Sequence, residues 1–323
     1  MARKPDLTVT YKTVDTCAID TDVYVPQPSE FRSDSRNRPV IINIHGGAYM
    51  LGASSMVNND QVIDCLERGW IVVVPNHRLC PQVDILDGPV CDIRDLSTWL
   101  HDGFLDKELE KLGSLLRCDL NRVIAFGTSA GGHLAMCLGF DHPYRPAAIL
   151  DFYGPSHFHD GFWEEKLPMA AKLPAFDAAF LRQVYDEHST CTRGGVSLEG
   201  QQTQGGPDFA DPRVAFAFAH IANGKVWDVC FPSKAFEKID AAARVSPDFP
   251  PTCIVHGDAD TMVPMRLSKM LYDKLRAAGV DCVLIEVPGE EHTFAGKMVK
   301  GSRTWEIQRK GFDWVEQRIQ QLP

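Results

Sequence analysis

The 323-residue chain has no Cys-x-x-Cys among its ten cysteines, no excess of basic residues and no internal repeat. No apolar run approaches the roughly 20 residues of a membrane-spanning helix, so a span is not expected. A net charge of −10 argues against a nucleic-acid partner. The cysteines are scattered, and Cys137, Cys253 and Cys282 fall in predicted core elements, where a thiol acts as a small hydrophobe. Free thiols and a reducing compartment are expected. The opening Met-Ala-Arg-Lys-Pro-Asp is followed by no apolar stretch, so no secretory leader is expected and the cytoplasm is the default location.

What is present is enough apolar residue, 44% against 24% charged, to bury a substantial core. The pattern alternates strand and helix, as a mostly parallel sheet requires. Strands are predicted near Ile41–Ile44, Ile71–Val74, Val123–Phe126, Ala148–Phe152, Cys253–His256 and Val283–Val287. Helices are predicted near Val57–Arg68, Val90–His101, Gly131–Phe140, Arg266–Ala278 and Thr304–Arg318. The last sets Trp305, Phe312, Val315 and Ile319 on one face, the pattern of a helix docked on a core.

Residues 122–132 run from a β-type apolar stretch through Gly127-Thr128-Ser129-Ala130-Gly131 into a small-residue helix start. This is the setting of a serine nucleophile elbow: a strand delivers the serine into a tight turn whose neighbours lack bulk. At a helix N-terminus the backbone amides favour developing negative charge. The competing reading is a glycine-rich helix entry in an open α/β sheet.

A second strand, from Pro39, ends in His45-Gly46-Gly47-Ala48-Tyr49, ahead of the serine in the chain. A tetrahedral intermediate needs preorganised N–H groups at its oxyanion, and glycine permits the close approach. The amides of Gly46, Gly47 and Ala130 are the candidate oxyanion hole. His45 is expected to brace this loop.

The third part is Pro251-Thr-Cys-Ile-Val-His256-Gly257-Asp258-Ala-Asp260-Thr-Met-Val263-Pro264, a strand running into an acidic loop. The next predicted strand leads to Gly289-Glu-Glu-His292-Thr-Phe294. The order Ser129, acid, His292 is that of a hydrolase triad, each member just past the carboxyl end of a strand, where such sheets hold their sites. His256 and His133 are the rival bases: the first is expected to be buried and hydrogen-bonded, the second to point into packing.

Taken together these motifs resemble the α/β-hydrolase superfamily, specifically the carboxylesterases related to hormone-sensitive lipase and, through His-Gly-x-x-Asp-x-x-Val-Pro, the prolyl-oligopeptidase-like esterases. The resemblance runs from about Val40 to Trp314 and includes Asn76-His77-Arg78-Leu79-Cys80-Pro81, similar to the family's Tyr-Arg-Leu-x-Pro. It implies an α/β-hydrolase fold, a mostly parallel central sheet flanked by helices with an inserted cap. It also implies that the acid is the aspartate three residues before Val-Pro, Asp260, with Asp258 as the alternative. Three positions depart from the family: Ala48 replaces the third glycine, Thr128 stands where bacterial relatives carry aspartate, and His77 stands where tyrosine is usual. A fungal-type or divergent branch is implied.

Alternation fails from Gly154 to about Asp248, too long for a structureless loop. Residues 155–248 are therefore read as a cap inserted after the sixth strand, on a core of 1–154 and 249–323. The stretch from Phe176 to His188 looks helical, and Gln201-Gln202-Thr203-Gln204-Gly205-Gly206-Pro207 reads as a surface loop. Phe158, Phe162 and Trp163, with Ala48, Tyr49 and Thr128, are the candidate substrate-binding residues, although the three aromatics could equally anchor the cap. His157-x-His159-Asp160 lacks further ligands at useful spacing, so no metal is expected, and acyl transfer needs no cofactor.

The expected activity is that of a carboxylic-ester hydrolase on a small, aromatic or polyketide-type ester. Fungal proteins that resemble this one sit in polyketide pathways, so thioester release, lactone opening or cyclisation are alternatives. A peptidase is disfavoured because no propeller precedes the hydrolase. A non-catalytic binding protein on the same fold is the alternative from another class. The expected partner is a small-molecule ester, without nucleic acid or membrane, and a homodimer is left open.

Overall fold

A computed structural model describes residues 3–27, 35–187, 207–297 and 299–322. Eight strands form one sheet: β1 (Leu7–Val14), β2 (Cys17–Tyr24), β3 (Asn37–Ile44), β4 (Ile71–Pro75), β5 (Arg117–Thr128), β6 (Ala148–Phe152), β7 (Thr252–Gly257) and β8 (Cys282–Val287). Their spatial order is β1-β2-β4-β3-β5-β6-β7-β8. β1 and β2 pair antiparallel with each other, and β2 antiparallel with β4; all later pairings are parallel. The six predicted strands are all present. The β1–β2 hairpin was not anticipated.

The helices are α1 (Asn59–Glu67), α2 (Cys91–His101), α3 (Phe104–Lys111), α4 (Ala130–Met136), α5 (Ala178–Arg182), α6 (Pro212–Ala222), α7 (Val226–Cys230), α8 (Ala241–Arg244), α9 (Met265–Ala277), α10 (Phe294–Lys297) and α11 (Arg303–Gln320). Strands buried on both faces alternate their side chains between two apolar layers. In β3, Ile42 and Ile44 enter the layer under α2, α3 and α4, while Ile41 enters the layer under α1 and α11. The predicted stripe of α11 is the one it buries: Trp305, Phe312, Val315 and Ile319 are each at most 2% exposed. Each such burial stabilises by roughly 1.5–3 kcal/mol. Predicted as Gly131–Phe140, the helix after the serine is shorter: α4 tightens into a 3₁₀ turn at Cys137–Gly139, and Phe140 is extended.

Between β6 and β7 the chain leaves the sheet, and the described residues there include α5 to α8. The predicted helix from Phe176 is α5 followed by a 3₁₀ turn at Gln183–Asp186; the end of that prediction at His188, with Gln201–Gly206, lies outside the described residues. Arg213 at the start of α6 binds this segment to the loops around the carboxyl ends of the strands. It is buried, and it donates to the carbonyls of Met50 and Cys80, both at 2.8 Å, and to Gln82 Oε1 at 2.6 Å.

Candidate active site

The glycines around Ser129 are demanded by close approach. A Cβ on Gly127 would sit 2.1 Å from the carbonyl oxygen of Gly131, and one on Gly131 would sit 2.1 Å from that of Ile44. The strained residue is the serine itself, with φ 53° and ψ −123°. That conformation costs a non-glycine residue of order 1–3 kcal/mol and is held only by its surroundings. Here the Ser129 N–H donates to Phe152 O at 2.8 Å, and its carbonyl accepts from His133 N at 3.2 Å.

β5, β7 and β8 bring the three predicted residues together. Ser129 Oγ lies 2.9 Å from His292 Nε2, and His292 Nδ1 lies 2.6 Å from Asp260 Oδ2. All three are buried, at 5–8% exposure. A carboxylate oxygen can only accept, so Nδ1 carries the proton and Nε2 offers its lone pair to the serine hydroxyl. Asp260 Oδ1 accepts from the amides of Met262 and Val263 at 2.8 and 2.9 Å. Burial pushes its carboxyl up, but attraction to His292 and hydrogen bonds from His256 and His292 outweigh that and hold it well below the usual carboxylate range. Asp258 points elsewhere, accepting from Gly289 N at 2.6 Å from an exposed position.

The rival histidines are both tied into the interior. His256 joins Ser268 Oγ at 2.7 Å through Nδ1, and donates through Nε2 to Val263 O at 2.8 Å and Asp260 Oδ2 at 3.1 Å. His133 donates to Ile239 O at 2.8 Å and accepts from the Tyr49 hydroxyl at 2.9 Å; burial pulls its pKa down to about 4.

The Gly46–Tyr49 loop passes beside the serine in a left-handed turn. Gly47 has φ 120°, where a Cβ would also meet Leu51 O at 2.2 Å, and Ala48 and Tyr49 have φ 51° and 65°. Gly47 O closes the turn by accepting from Met50 and Leu51. Among the described residues, no backbone acceptor takes the amides of Gly46, Gly47 or Ala130. His45 braces the loop as expected: its Nδ1 donates to Gly46 O at 2.7 Å and its ring stacks on His77 at 4.5 Å. Burial lowers its pKa to about 3, so it stays neutral.

A small apolar cavity opens on Ser129 and His292, lined by Ala48, Tyr49, Ala130 and Trp163 of the predicted set. Trp163 is pinned by its indole N–H to Ser156 O and His157 O. Phe158 does not reach the cavity: it is buried behind the wall, 4.4 Å from the Trp227 ring and 5.0 Å from that of His133. Phe162 packs on Trp163 at 5.3 Å, and Thr128 ends β5 beneath the turn; neither lines the cavity. Asp160 is paired with Arg266. Ile221, Val226 and Trp227, which the sequence reading missed, supply much of the remaining wall. A roomier hollow of about 440 Å³ beside Val25–Gln27 and Leu112–Leu116 holds no nucleophile–base pair.

Two family models match the chain: one described as BD-FAE over residues 21–175, and the prolyl oligopeptidase family over residues 212–321. Similar proteins include the non-reducing polyketide synthase trt4 of Aspergillus terreus, 28% identical over 317 residues, and ausA of Emericella nidulans, 29% identical over 324 residues. Each alignment covers 89% of this chain, but the chain spans only 13% of the length of either synthase. Among solved structures, a Staphylococcus aureus protein of unknown function matches with TM-score 0.68 and 19% identity, covering 97% of this chain and 99% of that one. The propionate-bound esterase Est2 of Thermogutta terrifontis matches with TM-score 0.57 and 17% identity, covering 96% and 92%. At these identities the structural likeness is one of fold.

Proposed function

We propose that the chain is a carboxylesterase-like α/β-hydrolase, a reading supported by the two family matches, and on that premise a serine hydrolase that cleaves carboxylic esters through an acyl-enzyme on Ser129. The observation that carries the reading is the unbroken chain Ser129–His292–Asp260 beside unspent amides and an apolar cavity. His292 Nε2 takes the hydroxyl proton as Ser129 Oγ attacks the ester carbonyl. The new Oγ–acyl bond forms, and the oxyanion rests on the amides of Gly46, Gly47 and Ala130. As the ester C–O bond breaks, His292 returns the proton to the departing alcohol. Water then repeats the sequence on the acyl-enzyme and releases the acid. Asp260 fixes the imidazole tautomer and stabilises the imidazolium. Residues 155–248 serve in this reading as a cap, contributing Trp163, Ile221 and Trp227 to the wall.

A second reading, release of an acyl group from a thioester or its cyclisation, draws on the likeness to polyketide synthases. The same triad would serve, with a thiol or an internal hydroxyl in place of alcohol or water. The expected result is turnover of short p-nitrophenyl esters that vanishes in a folded Ser129→Ala variant; retained turnover contradicts both readings.

A further inference from the structure

We infer that the site is shaped for an ester of a short acyl group, up to about four carbons, with a bulky and partly polar alcohol. The inference rests on the serine-hydrolase reading and goes beyond it by assigning the two sides of the scissile bond. Two cavities flank the triad histidine, and His292 and Met262 stand in the walls of both. The first is lined by Ser129, Ala130 and the Ala48–Tyr49 end of the glycine loop, with Trp163 and Trp227 in its wall, and holds about 60 Å³. The second touches His292 but not Ser129 and holds about 310 Å³. Leu167, Pro168 and Met169 line it together with Lys172, Thr261 and Glu291.

The chemistry decides which side is which. His292 hands its proton to the leaving oxygen, so the alcohol must lie on the His292 side of the carbonyl. The acyl chain then turns toward the tryptophan wall. A cavity of about 150 Å³ binds benzene, so one of about 60 Å³ favours two or three carbons beyond the carbonyl over an aromatic acyl group. The wall does not yield easily. Trp163 is pinned to two backbone carbonyls, and Trp227 is wedged against Phe158 and Phe236 at 4.4 and 5.5 Å. The alcohol side is several times larger, and its mixed lining suits a group with an apolar body and hydroxyl or charged substituents.

The test uses two isomeric esters on the full chain: 2-naphthylmethyl acetate, with a short acyl group and bulky alcohol, and methyl 2-naphthylacetate, with the reverse. Both release simple primary alcohols of similar acidity, so the comparison reads shape. The expected kcat/KM is at least tenfold higher for the acetate. Lengthening its acyl group from butyryl to octanoyl should cost a further tenfold, a loss that Trp163→Ala relieves; Ile221→Ala is the second variant should the first not fold. Equal or reversed preference between the isomers, cleavage of neither by protein that a fluorophosphonate still labels at Ser129, or an unchanged length profile in both variants overturns the inference while the serine-hydrolase reading stands. Absence of that labelling overturns the reading itself.

Discussion

His256 and His292 converge on a single oxygen, Asp260 Oδ2, at 3.1 and 2.6 Å. The carboxylate thus accepts from two imidazoles on one oxygen and from the amides of Met262 and Val263 on the other. All of its acceptor capacity is committed inside the protein, so its position is set from four directions.

Substitution at the two neighbouring acids should separate sharply. Asp260→Asn removes the acceptor that fixes the His292 tautomer, and in triads of this geometry that costs on the order of 10⁴ in kcat. Asp258→Asn only removes the charge from an exposed contact to Gly289 N; a change within about threefold is expected. Initial rates on one p-nitrophenyl ester compare them. A larger loss at Asp258 would show that the acid lies there.

His256 acts through Asp260. His256→Ala should lower kcat by roughly 10–100-fold with little change in KM, as loss of a supporting partner does at comparable sites, because no cavity residue is lost. His256→Gln, which can still donate to Asp260, should recover part of the loss. Loss confined to KM, or no difference between alanine and glutamine, would refute a positioning role.

Asp151 gives a pH dependence of stability with a definite sign. Burial raises its pKa to about 7, only partly offset by the hydrogen bond from Gly154 N. The folded state therefore holds a proton that the unfolded chain has shed above pH ~4. Its contribution is complete below that value and is lost as pH rises through about 7, an effect of at most about 4 kcal/mol. Asp151→Asn keeps the acceptor for Gly154 and cannot ionise. Urea midpoints at pH 5 and pH 8 should converge in the variant, chiefly by a gain at pH 8; an unchanged gap would refute the assignment.

Arg213→Ala should destabilise by about 2–4 kcal/mol, because it strands the buried carbonyls of Met50 and Cys80 and removes the charge that pairs with Glu187. Since Met50 follows the Gly46–Tyr49 turn, KM should rise as well. A midpoint shift with unaltered kinetics would separate the anchor from the site.

The core strands were legible because strands covered on both faces read as continuous apolar runs, as in Val40–Ile42 and Cys253–Val255. The triad was legible because each member lies in a loop that follows a strand, although β8 before His292 is a half-exposed edge strand. The β1–β2 hairpin carries its signal in alternation, with Thr8 bonded to Asp22 and Thr10 to Asp20 on its open face, and polar alternation at a sheet edge is easily taken for loop. The cavity was only partly legible. Trp163 reaches it while Phe158, five residues earlier, does not, and Ile221 and Trp227 arrive from far along the chain, where no spacing rule connects them to Ser129. Three-dimensional packing alone decides which aromatics line a cavity and which support it.

The central claim is that Ser129 is an activated nucleophile, and covalent trapping tests it most directly. Treated with a fluorophosphonate and weighed intact, the protein should gain one adduct, located by peptide mapping on the segment holding Ser129 and absent from a folded Ser129→Ala variant. No adduct on the native protein, or an undiminished adduct on the variant, would contradict the account.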